Sequence, residues 1–357
     1  MWHFLPTRSL FHHATCGHFT IFAANFREVI GVFRQKNPGN FFMLFLIGVL
    51  LKLSVFFKAA PAIIKETDSF TYQAFAGFLE PIAVFFPVVY ALFAFGLMLL
   101  QAYLLTVFIN NNRLMAKANF LPGIAYILTT SLLPDFNRLS SPLIVSTLFL
   151  LIFIILFSAH NDKTTRGDIY NAGLILGLAG LLFPPALIFI VWIYIALATL
   201  RPFKLNEWVV VLIGVVTPYY FLAIFLYLAD QLHQNYFFNG FTLALRYEKF
   251  TAWHAGMLFL ILMPLLAGVY YMQAKSGRML IHVRKAWNLF LSYAAICMVI
   301  TFVNVGSGIE NWVLFLLPAA AIHGYGYYAA ELKLYPWIAF WLSVIFIVTS
   351  QIFSGLW

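Results

Sequence analysis

The sequence predicts an all-α, polytopic transmembrane helical bundle of about eleven spans, and three observations predict it. Of 357 residues, 63% are hydrophobic and only 9% are charged, whereas soluble domains carry about 25% charged residues. The apolar residues form long runs broken by short polar stretches, the pattern of a chain that meets lipid rather than water. Lysine and arginine gather in alternate breaks, as they do when successive loops face opposite sides of a membrane. No polar stretch exceeds the roughly 40 residues a domain needs to fold alone, so residues 41–357 are expected to form a single transmembrane domain. The net charge of +9 does not point to nucleic acid, because the basic residues are scattered and form no patch interleaved with aromatics. Cys16 and Cys297 fall in the leader and in a predicted span, which argues against a disulfide framework.

Residues 1–28 form a poorly determined leader. It lacks the compact apolar run and small-residue cleavage site of a signal peptide. His12, His13, Cys16 and His18 have no second half at metal-ligand spacing, so no metal site is assigned. Residues 29–40 read as an interfacial amphipathic helix: Phe26, Val29, Ile30 and Phe33 recur at helical spacing, with Arg27, Arg34 and Lys36 on other faces. Asn37-Pro-Gly-Asn40 then breaks it.

The apolar segments follow at about 41–57, 81–109, 120–133, 142–159, 168–183, 185–200, 208–228, 254–272, 287–303, 311–329 and 336–353. Several are shorter than the roughly 20 residues of a perpendicular span, which implies tilt or local thinning. Glu80 before Pro81 reads as a helix start. Gly173, Gly177 and Gly180 line one side of the fifth segment and suit close helix packing or close approach of a lipid chain. Pro184 and Pro185 turn the chain sharply into the sixth. Arg201 and Trp208 mark an interfacial anchor.

With a cytoplasmic amino terminus, fifteen of the 21 Lys and Arg fall on the inside and five on the outside, so the orientation is read as N-in, C-out. Lys52 lies within the first segment and is expected to snorkel outward. Seven of the twelve acidic residues fall on the outside.

Two short outer loops therefore carry carboxylates at the bilayer edge. Asp68 follows the first span, with Tyr72 close behind, and Asp135 and Arg138 follow the third. A carboxylate can take a proton from an acceptor hydroxyl, and an arginine can grip a phosphate; equally, these are ordinary solvated loop charges. The long outer segment 229–253 holds Arg246 among aromatics that suit a sugar or lipid phosphate, or an interfacial loop helix. His323 is the deepest ionisable residue, either a functional group or a hydrogen-bonded packing histidine.

At Gly31-Val-Phe-Arg-Gln-Lys-Asn-Pro-Gly-Asn40, Phe120-Leu-Pro-Gly-Ile-Ala-Tyr-Ile-Leu-Thr-Thr-Ser-Leu-Leu-Pro134, Arg201-Pro-Phe203 and Glu207-Trp208, the chain resembles an uncharacterised family of polytopic inner-membrane proteins from Bacteroidota. The likeness runs from about residue 29, which implies that residues 1–28 are an extension. It implies a bacterial inner-membrane location and carries no activity. A second, architectural likeness is to the GT-C membrane glycosyltransferases, which move a sugar from a polyprenyl-phosphate donor at the outer face. That likeness implies Asp68 and Asp135 as the catalytic carboxylates, with Asp68 the base or a metal ligand and Asp135 a second ligand, and Arg138 or Arg246 as the phosphate grip; Tyr72 and His323 complete the candidate set. A transporter or flippase, and a non-catalytic assembly subunit, are the other classes the sequence leaves open.

Overall fold

The computed structural model describes residues 31–35, 37, 39–58, 61–65, 68–158, 166–230, 251–303, 308–332 and 334–353. Among them every regular element is helical, as a chain that must satisfy its backbone polar groups within lipid requires. The leader, Arg246 and residues 29, 30, 36 and 38 of the proposed interfacial helix lie outside the described residues.

The helices are α1 (Gly39–Leu51), α2 (Leu53–Lys58), α3 (Phe70–Phe85), α4 (Val89–Asn111), α5 (Leu121–Ser131), α6 (Ser141–Ser158) and α7 (Arg166–Leu182). They continue as α8 (Ile190–Leu200), α9 (Leu205–Leu228), α10 (Ala252–Lys275), α11 (Ile281–Val303), α12 (Val313–Ala329) and α13 (Leu334–Phe353). Short 3-10 turns precede α6, α8 and α12 at Pro134–Asn137, Pro184–Phe189 and Ile309–Trp312. Among the described residues six helices are long and apolar enough to cross a membrane: α4, α6, α9, α10, α11 and α13.

Two of the shorter helices, α5 and α12, are explained by burial. Every residue of α5 is buried, and so is all of α12 except Tyr328. A helix of 11 residues rises only about 16 Å, well short of the roughly 30 Å hydrocarbon thickness. Irregular backbone beyond its ends is tolerated because protein, not lipid, surrounds it. The outer helices show the reverse pattern. Phe221, Phe225 and Leu228 of α9, and Ile345 and Ile352 of α13, are exposed, leaving apolar faces of the kind that sit against acyl chains. Between these layers lies an aromatic core in which Phe149 stacks on Phe189 at 3.8 Å and Phe153 on Phe290 at 4.4 Å.

Two sequence expectations are corrected. Residues 81–109 are not one span, because Phe86-Pro-Val88 separates α3 from α4; proline supplies no N–H and drives the preceding residue out of the helical region. Glu80 and Pro81 lie inside α3 rather than at a helix start. That helix begins at Ser69, whose hydroxyl accepts from Tyr72 N at 3.2 Å and donates to Leu182 O at 2.7 Å.

The glycines of α7 are used for helix contact. A side chain at Gly173 would strike the carbonyl of Val211, and one at Gly177 would strike the carbonyl of Val215. Gly214 faces them from α9, and these small residues let the α7 and α9 backbones touch.

Candidate functional site

Two sets of long-range contacts tie the segments between helices into opposite ends of the bundle. At one end, Phe120 N donates to Phe33 O at 2.8 Å, Arg34 Nη2 to Tyr327 O at 3.1 Å and Lys275 Nζ to Ala329 O at 3.0 Å. At the other, Ser350 Oγ donates to Leu132 O at 3.1 Å and Gln351 Nε2 to Leu51 O. Asp68, Tyr72, Asp135 and Arg138 all belong to this second, polar end.

The two acidic loops predicted from the sequence are bonded to one another. Ile63 N donates to Leu139 O at 2.8 Å, and Arg138 Nε donates to Pro61 O at 3.1 Å. The Tyr72 hydroxyl lies 3.0 Å from Ile63 O and 3.2 Å from Leu139 O. Tyr72 therefore rivets the first loop to the second, and its hydroxyl is engaged with backbone.

Asp68 closes the first loop on itself: its Oδ2 accepts from Lys65 N at 2.8 Å, and Gln73 Nε2 donates to Asp68 O at 3.0 Å. Burial pushes its carboxyl above the ordinary carboxylate value, partly offset by the Lys65 N–H and ammonium, while Glu310 pushes the same way as burial. Lys65 Nζ meets Glu310 at 2.6 Å, and Glu310 Oε1 also accepts from Gly308 N at 3.1 Å. This ion pair brings the turn before α12 to the first loop.

Asp135 and Arg138 occupy one turn, three residues apart, with 3.8 Å between carboxylate and guanidinium. Both are partly open, at 40% and 31% side-chain exposure. Burial raises the Asp135 carboxyl above its ordinary value, and Arg138 opposes that shift most strongly; Glu310 adds to it, while His254 and Lys65 lower it. Glu310 and Lys65 thus act on both Asp68 and Asp135.

Sequence reasoning misplaced Lys52. It does not snorkel: the residue is only 2% exposed, and Nζ donates to Thr130 Oγ1 at 3.2 Å and to Asn137 Oδ1. It stands at the interruption between α1 and α2. Sequence reasoning also missed a buried amide network in which Gln101 Nε2 donates to Leu143 O at 2.9 Å and Thr147 Oγ1 at 2.6 Å, and Tyr126 OH donates to Gln101 Oε1. The available signal was a lone amide in an otherwise apolar run. His323 is remote from the polar loops in sequence and packing. It lies within α12, 1% exposed, with Nε2 2.8 Å from Ile261 O of α10. Among the described residues no cluster of three or more His, Cys, Asp or Glu could hold a metal ion.

A family model described as "Family of unknown function (DUF6427)" matches residues 74–353. The chain belongs to this family. No curated protein and no solved structure matches it. The DUF6427 match takes in Asp135, Arg138, Glu310 and His323, whereas Lys52, Asp68 and Tyr72 precede it. Membership establishes kinship with an uncharacterised family, and the helical, lipid-facing structure makes this member a multi-pass membrane protein.

Proposed function

We propose that this chain crosses a bacterial inner membrane eleven times, N-in and C-out, and transfers a sugar from a polyprenyl-phosphate-type donor at its polar outer end, in the manner of the GT-C enzymes. The alternation of helix ends supports the crossing number: segments near residues 33, 120, 275 and 327 share contacts at one end, those near 63, 139, 182 and 350 at the other. The uneven division of lysine and arginine supports the orientation.

The observation that carries the reading is the Asp135–Arg138 pair on the turn between two buried helices. In the proposed step the acceptor hydroxyl gives its proton to Asp135, its oxygen bonds the sugar carbon, and the bond from that carbon to the donor phosphate oxygen breaks. The electron pair leaves on the phosphate, whose developing charge Arg138 neutralises. A carboxyl raised by burial is the better base for this exchange, because its basicity moves toward neutral pH. Asp68 supports the loop and lies within the same field of charge. The test is complementation of a deletion strain with Asp135→Asn or Asp68→Asn, both expected at normal abundance and with altered envelope glycans. Unaltered glycans in the Asp135→Asn strain would refute the transfer reading.

A transporter or flippase is the second reading, and the break of the first apolar segment at Lys52 favours it, because interrupted helices frame many transport sites. In that case the glycan defect would follow Lys52 substitutions and spare Asp135→Asn.

A further inference from the structure

Lys52 is the residue that the account so far leaves unexplained. Its amino group donates to two acceptors, Thr130 Oγ1 and Asn137 Oδ1, and a third donor arises only when it is held as an ammonium. Both acceptors are neutral, and among the described residues no carboxylate forms an ion pair with it. Both are also held in place: the Thr130 hydroxyl is 2.9 Å from Tyr126 O, and Asn137 Nδ2 donates to Leu133 O at 3.3 Å. The Asn137 amide thus presents its oxygen to the lysine. An unpaired cation in such a place costs several kcal/mol by general estimates, and a methionine would fill the same space without that cost.

The backbone is adapted to this position. Lys52 N is bonded to both Gly48 O at 3.1 Å and Val49 O at 3.2 Å, and Val55 N to Lys52 O at 3.1 Å, where the helix is interrupted. Along α1, Lys52 lies about 20 Å from Gly39, so about 10 Å of a 30 Å hydrocarbon layer remains above it. Arg138 follows Asn137 directly and keeps N–H donors beyond those given to Asp135 and Pro61.

We propose that Lys52 is the buried anchor of a phosphate-binding site, formed where the α1/α2 break, the end of α5 and the Pro134–Asn137 turn meet, with Arg138 as its outer cation. A phosphate brought against Lys52 favours its ammonium form, and has enough acceptor oxygens to take the third Lys52 N–H and the free arginine donors together. The inference deepens the transfer reading by naming the groups that hold the donor's phosphate, and it rests on that reading only for the identity of the lipid.

The test uses the full-length chain in nanodiscs of zwitterionic lipid, with thermal unfolding followed against dodecyl phosphate, inorganic phosphate and dodecyl maltoside. Dodecyl phosphate is expected to raise the unfolding temperature and dodecyl maltoside to leave it unchanged. A response to dodecyl phosphate alone assigns a lipid headgroup; an equal response to inorganic phosphate assigns the free ion. Lys52→Met is expected to weaken phosphate binding by at least about thirty-fold, the loss typical of removing one member of a buried charge pair. Should that variant fail to fold, Asn137→Asp decides. It places a carboxylate against the ammonium, and is expected to raise stability while abolishing the phosphate response. An unchanged response in both variants, or no response in the wild type, overturns the proposal. Asp135→Asn separates the two ideas: Lys52-dependent binding with normal glycans in Asp135→Asn retains the phosphate site and refutes transfer. A glycan defect in Asp135→Asn with a Lys52-independent response does the opposite.

Discussion

The Lys65–Glu310 pair offers the clearest energetic prediction, because its two members differ in their access to water. At 2.6 Å and an effective dielectric constant of about 20, the gross attraction is about 6 kcal/mol. Desolvation of Glu310, whose side chain is only 8% exposed, and the remaining hydration of Lys65, at 29%, reduce this to an expected net coupling of about 1–3 kcal/mol. The single substitutions should be unequal. Lys65→Met leaves a buried carboxylate with the Gly308 N–H as its remaining hydrogen-bond donor among the described residues, and should cost about 3 kcal/mol. Glu310→Gln leaves an ammonium that can turn to solvent, and should cost about 1 kcal/mol. Equilibrium unfolding of the wild type, both single variants and the double variant in one detergent gives the coupling directly. A coupling near zero, or a larger loss for Glu310→Gln than for Lys65→Met, would show that the pair does not fasten the first loop to the turn before α12.

Three further predictions address packing, polar burial and pH. Gly177→Leu should destabilise by about 2–3 kcal/mol or more, because the new side chain meets backbone of α9, whereas Gly167→Ala, with open space around it, should be neutral or slightly stabilising in the same unfolding assay. Gln101→Leu leaves the Tyr126 and Thr147 hydroxyls without this partner and should cost about 1–2 kcal/mol; adding Tyr126→Phe and Thr147→Val should recover part of that loss, and additive losses would contradict the network. Asp135 has a folded value above its ordinary 3.8, so the folded state holds its proton more tightly than the unfolded state. Its contribution to stability is therefore greatest at low pH and is lost as pH rises from 3.8 through the raised value. Wild type should lose stability relative to Asp135→Asn across that window, and a flat or opposite difference would refute the shift.

The fold class was legible because the lipid environment writes itself into composition: long apolar runs and alternating basic loops require no tertiary information. Helix interruptions were harder to read. Pro87 supplies a local reason for the break between α3 and α4, but the run on either side is uniformly apolar, so hydropathy alone merges it. The meeting of the two acidic loops was legible in outline, since both follow short segments expected to end on one face. What their loops are bonded by was not: the carbonyls of Ile63 and Leu139 that receive Tyr72 carry no sequence signal. Lys52 was misread for a physical reason. A lysine near a helix end ordinarily reaches the interface, and its two acceptors inside the bundle, Thr130 and Asn137, lie about eighty residues away in the chain.

The central claim is that the polar end consumes a phosphate-linked lipid donor with Asp135 as base. Mass spectrometry of lipid phosphates from a deletion strain complemented with wild type or Asp135→Asn tests it most directly. A blocked transfer leaves its donor unconsumed, so the deletion and Asp135→Asn strains should accumulate the same sugar-bearing lipid phosphate, and the wild-type strain should clear it. A normal lipid-phosphate profile in the Asp135→Asn strain, with the protein present at wild-type abundance, would contradict the account.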